Sequence, residues 1–197
     1  MSTRKRALIS VSDKTGLIQF ARELNQLGIE IIATSGTFTI LKNGGVQLVK
    51  RVSDVTKVPE IFDGRVKTLH PKLIGGILAL RDKKEHMNEL TRLRIEPIDM
   101  VVCNFYPLER INEREIELQA FLNKIDIGGP TLIRAAAKNF THVVVIVNPE
   151  KYGQVLQELK KYGDVSIETK SALAIEAFKT TAKYDHAIHQ MLKDLRN

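Results

Sequence analysis

Two kinds of apolar pattern alternate along the chain. Continuous apolar runs at residues 7–12, 29–34, 46–49 and 142–148 read as buried strands, and residues 98–107 give the clearest central strand. Between them apolar positions recur every three or four residues. Leu17, Ile18, Phe20, Ala21, Leu24 and Leu27 fall on one helical face, with Gly28 as a left-handed cap behind them. Further helices are predicted after Ser35-Gly36-Thr37 up to Gly44, over 83–93, over 113–124 with Ile116, Ala120 and Phe121 inward, and from Asn148-Pro149-Glu150 to Tyr162. Residues 74–80 read as another buried strand or turn. From 166 to 195 the helical period persists through Leu173, Ala174, Ala177, Phe178, Ala182, Ile188, Met191, Leu192 and Leu195, with Tyr184-Asp185 as the candidate break. Strands alternating with helices predict an α/β fold with a mostly parallel sheet and right-handed crossovers. The expectation is one domain over 1–197, with 166–197 as a helical extension long enough to pack on a second subunit.

Composition narrows the function classes. Of 197 residues, 43% are hydrophobic and 27% charged, enough for a sizeable core. The longest apolar blocks are strand-sized, so no membrane partner is expected. The basic N-terminus lacks the apolar core of a signal peptide, and a single cysteine, Cys103, agrees with a reducing, cytoplasmic setting. The net charge of +7 is spread over scattered short clusters. That pattern suits a small anionic ligand better than nucleic acid. His186 and His189, three apart without a third ligand, make a poor metal site, so neither metal nor cofactor is expected.

The polar residues that remain collect where strands are predicted to end, the usual ligand position in such sheets. Ser12-Asp13-Lys14 follows the first strand and Thr34-Ser35-Gly36-Thr37 the second. Hydroxyls, a glycine and helix N-terminal N–H groups suit a phosphate, although Ser and Thr also cap helices for purely structural reasons. The loop Gly64-Arg65-Val66-Lys67-Thr68-Leu69-His70-Pro71 concentrates cations, and His70 before proline reads first as a structural hydrogen-bonding residue. Cys103, Asn104 and Tyr106 end the central strand, with Cys103 a small buried filler. Asp126-Ile127-Gly128-Gly129-Pro130 opens an Ala-rich helix that closes at Lys138-Asn139. In the plainest reading Asp126 and Lys138 only cap that helix.

These stretches occur in a recognisable order: S-V-S-D-K-T-G from Ser10, T-S-G-T from Thr34, G-R-V-K-T-L-H-P from Gly64, C-N-F-Y-P from Cys103, I-D-I-G-G-P-T-L-I-R-A-A-A-K-N from Ile125 and T-A-K-Y-D from Thr181. The chain closely resembles the inosine monophosphate (IMP) cyclohydrolase domain family of the bifunctional purine biosynthesis proteins. It stops where the family's folate-dependent formyltransferase would begin, so it is either a stand-alone cyclohydrolase or an excised domain. The resemblance implies a methylglyoxal-synthase-like three-layer α/β sandwich. It implies cyclisation of 5-formamidoimidazole-4-carboxamide ribotide (FAICAR) to IMP with loss of water, in a homodimer, with a separate formyltransferase as a further partner. Ser12, Asp13, Lys14, Thr34, Ser35, Gly36 and Thr37 would hold the ribose phosphate. Arg65, Val66 and Thr68 would close over the ligand; Cys103, Asn104, Ile127 and Gly128 would contact the ring. The family assigns proton transfer to Lys138, with Lys67, Tyr106 and Asp126 converging on the same pocket. Ser35 stands where many members have glycine. Two rivals share the fold: a non-catalytic effector-binding domain, and a methylglyoxal synthase-type lyase.

Overall fold

The computed structural model describes residues 4–106 and 117–194. Five strands form one sheet in the order β3-β2-β1-β4-β5: β1 (Arg6–Val11), β2 (Glu30–Ala33), β3 (Val49–Arg51), β4 (Met100–Asn104) and β5 (Val144–Ile146). Every neighbouring pair is parallel. The register sets Ser10 beside Cys103 and Val11 beside Asn104, while Ile9 faces Ala33 on the other side. Strand order reverses between β1 and β4, so a crevice opens beyond their carboxyl ends.

Helices cover both faces, as a sheet of continuous apolar runs requires. On one side α1 (Leu17–Gln26) packs on α2 (Ser35–Asn43) and α8 (Tyr152–Tyr162). On the other, α7 (Gly128–Lys138) packs on β4, on α4 (Pro71–Leu78) and on α9 (Ile167–Asp194). Among the described residues there are three further α-helices, α3 (Val52–Thr56), α5 (Lys84–Arg92) and α6 (Leu118–Lys124), and a 3-10 turn at Pro149–Lys151 before α8. The core is Leu8, Ile9, Phe20, Leu24, Ile31, Ile32, Val101, Leu132, Ile133 and Val145, all closed to solvent or nearly so. A second small core joins Phe121 of α6 to Tyr184 and Met191 of α9, with Phe105 packed against it.

The structure corrects the sequence reading at several elements. Residues 74–80 are no strand; they fall in α4 and its exit, where Pro71 starts the helix and the His70 side chain accepts the N–H of Lys72 at 3.1 Å. The polar link after β3 contains α3, which has too few apolar positions to show a period. The strand expected at 46–49 begins only at Val49. The long last helix runs unbroken through Tyr184-Asp185. Of the predicted 113–124 helix, residues 113–116 lie outside the described residues, as do Pro107 and Leu195; within α6, Phe121 is buried but Ala120 is exposed.

At the amino edge of the sheet, Arg6 of β1 and Glu30 of β2 form a buried ion pair at 2.7 Å, and Arg6 also reaches Glu96 at 2.6 Å. Burial alone would raise the Glu30 pKa. Hydrogen bonds and charge from Lys50 and Arg6 outweigh it and hold the carboxyl below its ordinary range. Its stabilising contribution is therefore complete above the unfolded value of about 4.3 and lost as pH falls through the lower folded value. Glu30→Ala should destabilise the fold by about 2–3 kcal/mol at neutral pH, because Arg6 keeps a buried charge with one partner fewer. Lys50→Ala, at a half-exposed ammonium, should cost under about 1 kcal/mol. Urea unfolding of both variants at neutral and acid pH checks the order, and the gap should close in acid.

Candidate functional site

Each strand's carboxyl end delivers one part of the site. After β1 the chain turns at Ser12-Asp13, and the side-chain oxygen of Asn104, at the end of β4, accepts the Ser12 N–H at 2.8 Å and the Asp13 N–H at 2.9 Å. Asp13 in turn takes the Thr15 N–H and hydroxyl at 2.9 and 2.7 Å, which tightens the turn before α1. Lys14 folds back, and its ammonium donates to the carbonyls of Val11 and Ser12. Partial burial lowers its pKa, with the Asp13 carboxylate opposing.

Beyond β2, Thr34 caps α2 with extended backbone and its hydroxyl reaches Ser10 at 3.4 Å. Ser35, Gly36 and Thr37 form the first turn of α2, whose N–H groups face this edge. The cationic loop follows as a small hairpin. Ile61 and Val66 form an antiparallel bridge, and Phe62, Asp63 and Gly64 turn the chain through left-handed backbone at φ 54, 53 and 83°. Arg65 donates to the Asn123 side chain. A Cβ placed on Gly64 would lie 3.9 Å from the Lys67 ammonium and 3.7 Å from Glu60 Oε2, so both side chains lie over that glycine.

Thr68, buried at the base of the hairpin, meets the start of α7. A Cβ on Gly128 would stand 2.6 Å from the Thr68 hydroxyl, so only glycine permits that approach. Asp126 Oδ1 accepts the Gly129 N–H at 2.9 Å, and the hydroxyl of Tyr184 accepts the Asp126 N–H at 2.8 Å. Tyr184 also packs against Phe105, with ring centroids 4.1 Å apart. Beneath lies Cys103, whose thiol pKa is pushed up by burial and by the Asp126 charge. The Cys103 side chain is thus a filler under the site, closed to any ligand above it.

Most of the predicted set therefore shares the carboxyl edge: Ser12, Asp13, Lys14, Thr34, Ser35, Gly36, Thr37, Arg65, Val66, Lys67, Thr68, Asn104, Asp126, Ile127 and Gly128 lie on these loops or at the adjoining ends of β4, α2 and α7. Tyr106, half exposed, lines a cleft of about 850 Å³ with Ser12, Asp13, Asn104 and Lys179 and Lys183 of α9. Lys138 does not join them. It is exposed in the last turn of α7, ten residues beyond Gly128, hence about 15 Å along the axis. Its neighbour Asn139 donates to the carbonyls of Ile77 and Ala79 at the other end of α4. Within one chain, the capping arrangement of Asp126 and Lys138 on opposite ends of α7 is what forms.

Residues 16–131 match the MGS-like domain family. The chain belongs to that family. Residues 136–197 match the family described as AICARFT/IMPCHase bienzyme. The bifunctional purine biosynthesis protein PurH of Persephonella marina is 51% identical over 96% of this chain and 37% of its own length. PurH of a Thermoanaerobacter species is 52% identical over 98% of this chain and 38% of its own. This MGS-like chain thus spans well under half of those relatives. Among solved structures it is similar to the crystal structure of ForH, at 35% identity and a TM-score of 0.87, covering 96% of this chain and 100% of that one.

Two residues of this edge escape sequence reasoning. Tyr184 lies inside the T-A-K-Y-D motif, yet nothing in a helical period announces that its hydroxyl holds Asp126. Glu60 gives no signal beyond its place beside Pro59. The glycine at 129 offers the sharpest test of the local geometry. A Cβ there would fall 2.4 Å from Asp126 Oδ2 and 3.4 Å from the Cys103 sulfur. Gly129→Ala should cost about 1–3 kcal/mol by forcing Asp126 aside. Gly153→Ala, with open space around it in α8, should be neutral or stabilising by up to about 1 kcal/mol. Thermal melts of the two variants provide the comparison.

Proposed function

We propose that this chain is an IMP cyclohydrolase that closes FAICAR to inosine monophosphate. The observation that carries the reading is the gathering of backbone donors, hydroxyls and cations at one sheet edge, in a chain about half identical to PurH proteins across nearly its whole length. The substrate carries both reacting groups. Its carboxamide nitrogen attacks its own formyl carbon and gives up one of its two protons, the formyl oxygen becoming a hydroxyl; that hydroxyl takes a second proton and leaves as water while the former formamido nitrogen loses its proton and forms the ring C=N bond. The protein needs to hold the two arms together, stabilise the developing oxyanion and carry protons.

The α2 N-terminus with Ser35, Gly36 and Thr37 serves the ribose phosphate, supported by Ser12, Asp13, Lys14 and Thr34. Arg65, Val66 and Thr68 close from the hairpin. Asn104, Ile127, Gly128 and the backbone at Cys103 meet the ring. Lys67, mobile at the tip of a long side chain, stabilises the oxyanion. Asp126 and Tyr106 orient the carboxamide, and the hydrogen bond from Asp126 N–H to Tyr184 fixes where that carboxylate sits. A formyltransferase, in this polypeptide or another, supplies the formyl group, and the pathway position puts the reaction in the cytoplasm.

The proton-transfer role assigned to Lys138 needs a second copy. A lysine reaches about 6 Å from its own backbone, well short of the separation along α7. In the proposed homodimer, Lys138 of one chain serves the carboxyl edge of the other. Purified wild-type chain should convert FAICAR to IMP in a spectroscopic assay; absence of turnover sinks the whole reading. Lys67→Met and Lys138→Met should each lose about 100-fold or more in kcat. Mixed after co-refolding, the two variants should recover about a quarter of the wild-type rate, since half the dimers are hybrids with one complete site. No recovery in verified hybrids would refute action across subunits.

A further inference from the structure

The N-terminus of α2 already holds a carboxylate. Glu60 Oε1 accepts the Ser35 hydroxyl at 2.6 Å and the Ser35 N–H at 3.3 Å, although Glu60 lies 25 residues further along the chain. A nine-residue helix whose N-cap makes no side-chain hydrogen bond favours a negative charge at that point. The same Ser35 donors are the ones assigned above to the ribose phosphate. The second oxygen of Glu60 and the Lys67 ammonium flank Gly64, so the carboxylate also has the loop's cation as a neighbour.

From this we infer that Glu60 is a built-in occupant of the phosphate seat: it latches the 61–66 hairpin to α2 in the empty protein and is displaced by the ligand's phosphate. The inference rests on the functional reading above for the identity of the ligand, but the exchange itself requires only a phosphate. Glu60 and its surroundings are exposed, so the latch is weak enough to yield. A phosphate brings more charge and more acceptor oxygens to the same donors, and so wins the exchange. Weaker anions face a competitor that is always present at high local concentration. Glu60 thereby lowers the apparent affinity of every anion that uses this seat by one common factor. The hairpin has two described ties to the body near its tip, Glu60 to Ser35 and Arg65 to Asn123. When the first is exchanged, Lys67 trades a carboxylate neighbour for the ligand.

Calorimetric titration of the full chain with IMP and, separately, with inorganic phosphate tests the latch. Glu60→Gln and Glu60→Ala should bind both ligands about two- to five-fold more tightly than wild type. In the empty variants, the amides of Ile61 and Val66 should exchange with solvent faster than in wild type. Unchanged or weaker affinity in both variants overturns the proposal. Wild type that takes up phosphate but not IMP sinks the cyclohydrolase reading and leaves the latch to be judged on phosphate. Wild type that takes up neither sinks both.

Discussion

The site depends on one side chain that joins two strands at their ends. Asn104 terminates β4 and its oxygen gathers the N–H groups of Ser12 and Asp13 as they leave β1. Past the end of the sheet the Ser12 N–H has only a longer, 3.3 Å bond to the Asn104 backbone carbonyl, and the Asp13 N–H lies one residue further out. The single amide oxygen answers both, so the turn after β1 is held against β4 at the reversal of strand order. A fixed crevice results, with the Asp13–Thr15 turn as its lip and Tyr106 leading away from its other wall. Without that clamp the donors of the first loop and the polar groups after β4 would have no common frame.

The second constraint is the length of a helix. In α7 Leu132, Ile133 and the alanines bury one face against β4 and α9, and glycines at its start let Thr68 and Asp126 approach the backbone closely. The same rigidity that presents Asp126 to the carboxyl edge carries Lys138 to the opposite one. A sequence motif is a line of neighbours, and a helix turns neighbours ten residues apart into distant ends. Asp126 and Lys138 read as partners in the motif for that reason alone.

Much of the architecture was legible because its signals are local. Continuous apolar runs marked the strands at 7–12, 29–34 and 98–107, and helical spacing marked α1 and α9. Pro71 shows where legibility failed: Ile74 to Leu80 is apolar throughout, and a buried helix and a buried strand look alike over seven residues. That polar loops gather beyond the strand ends was readable from residue type and position. What pairs with what was not, since Glu60 meets Ser35, and Tyr184 meets Asp126, across 25 and 58 residues. Such contacts are fixed by the fold's path, which no local pattern encodes.

The junction between the two family matches falls inside α7, between residues 131 and 136. The MGS-like match holds β2, β3, β4 and the 61–66 hairpin; β1 precedes it, and the segment after it supplies β5 and α9, whose Tyr184 seats Asp126 and packs the small core around Phe121 and Phe105. The Asp126 carboxylate is thus buttressed by a segment outside the MGS-like match. Evolutionary grafting or laboratory recombination at that seam would leave Asp126 to whatever buttress its new C-terminal segment happens to carry.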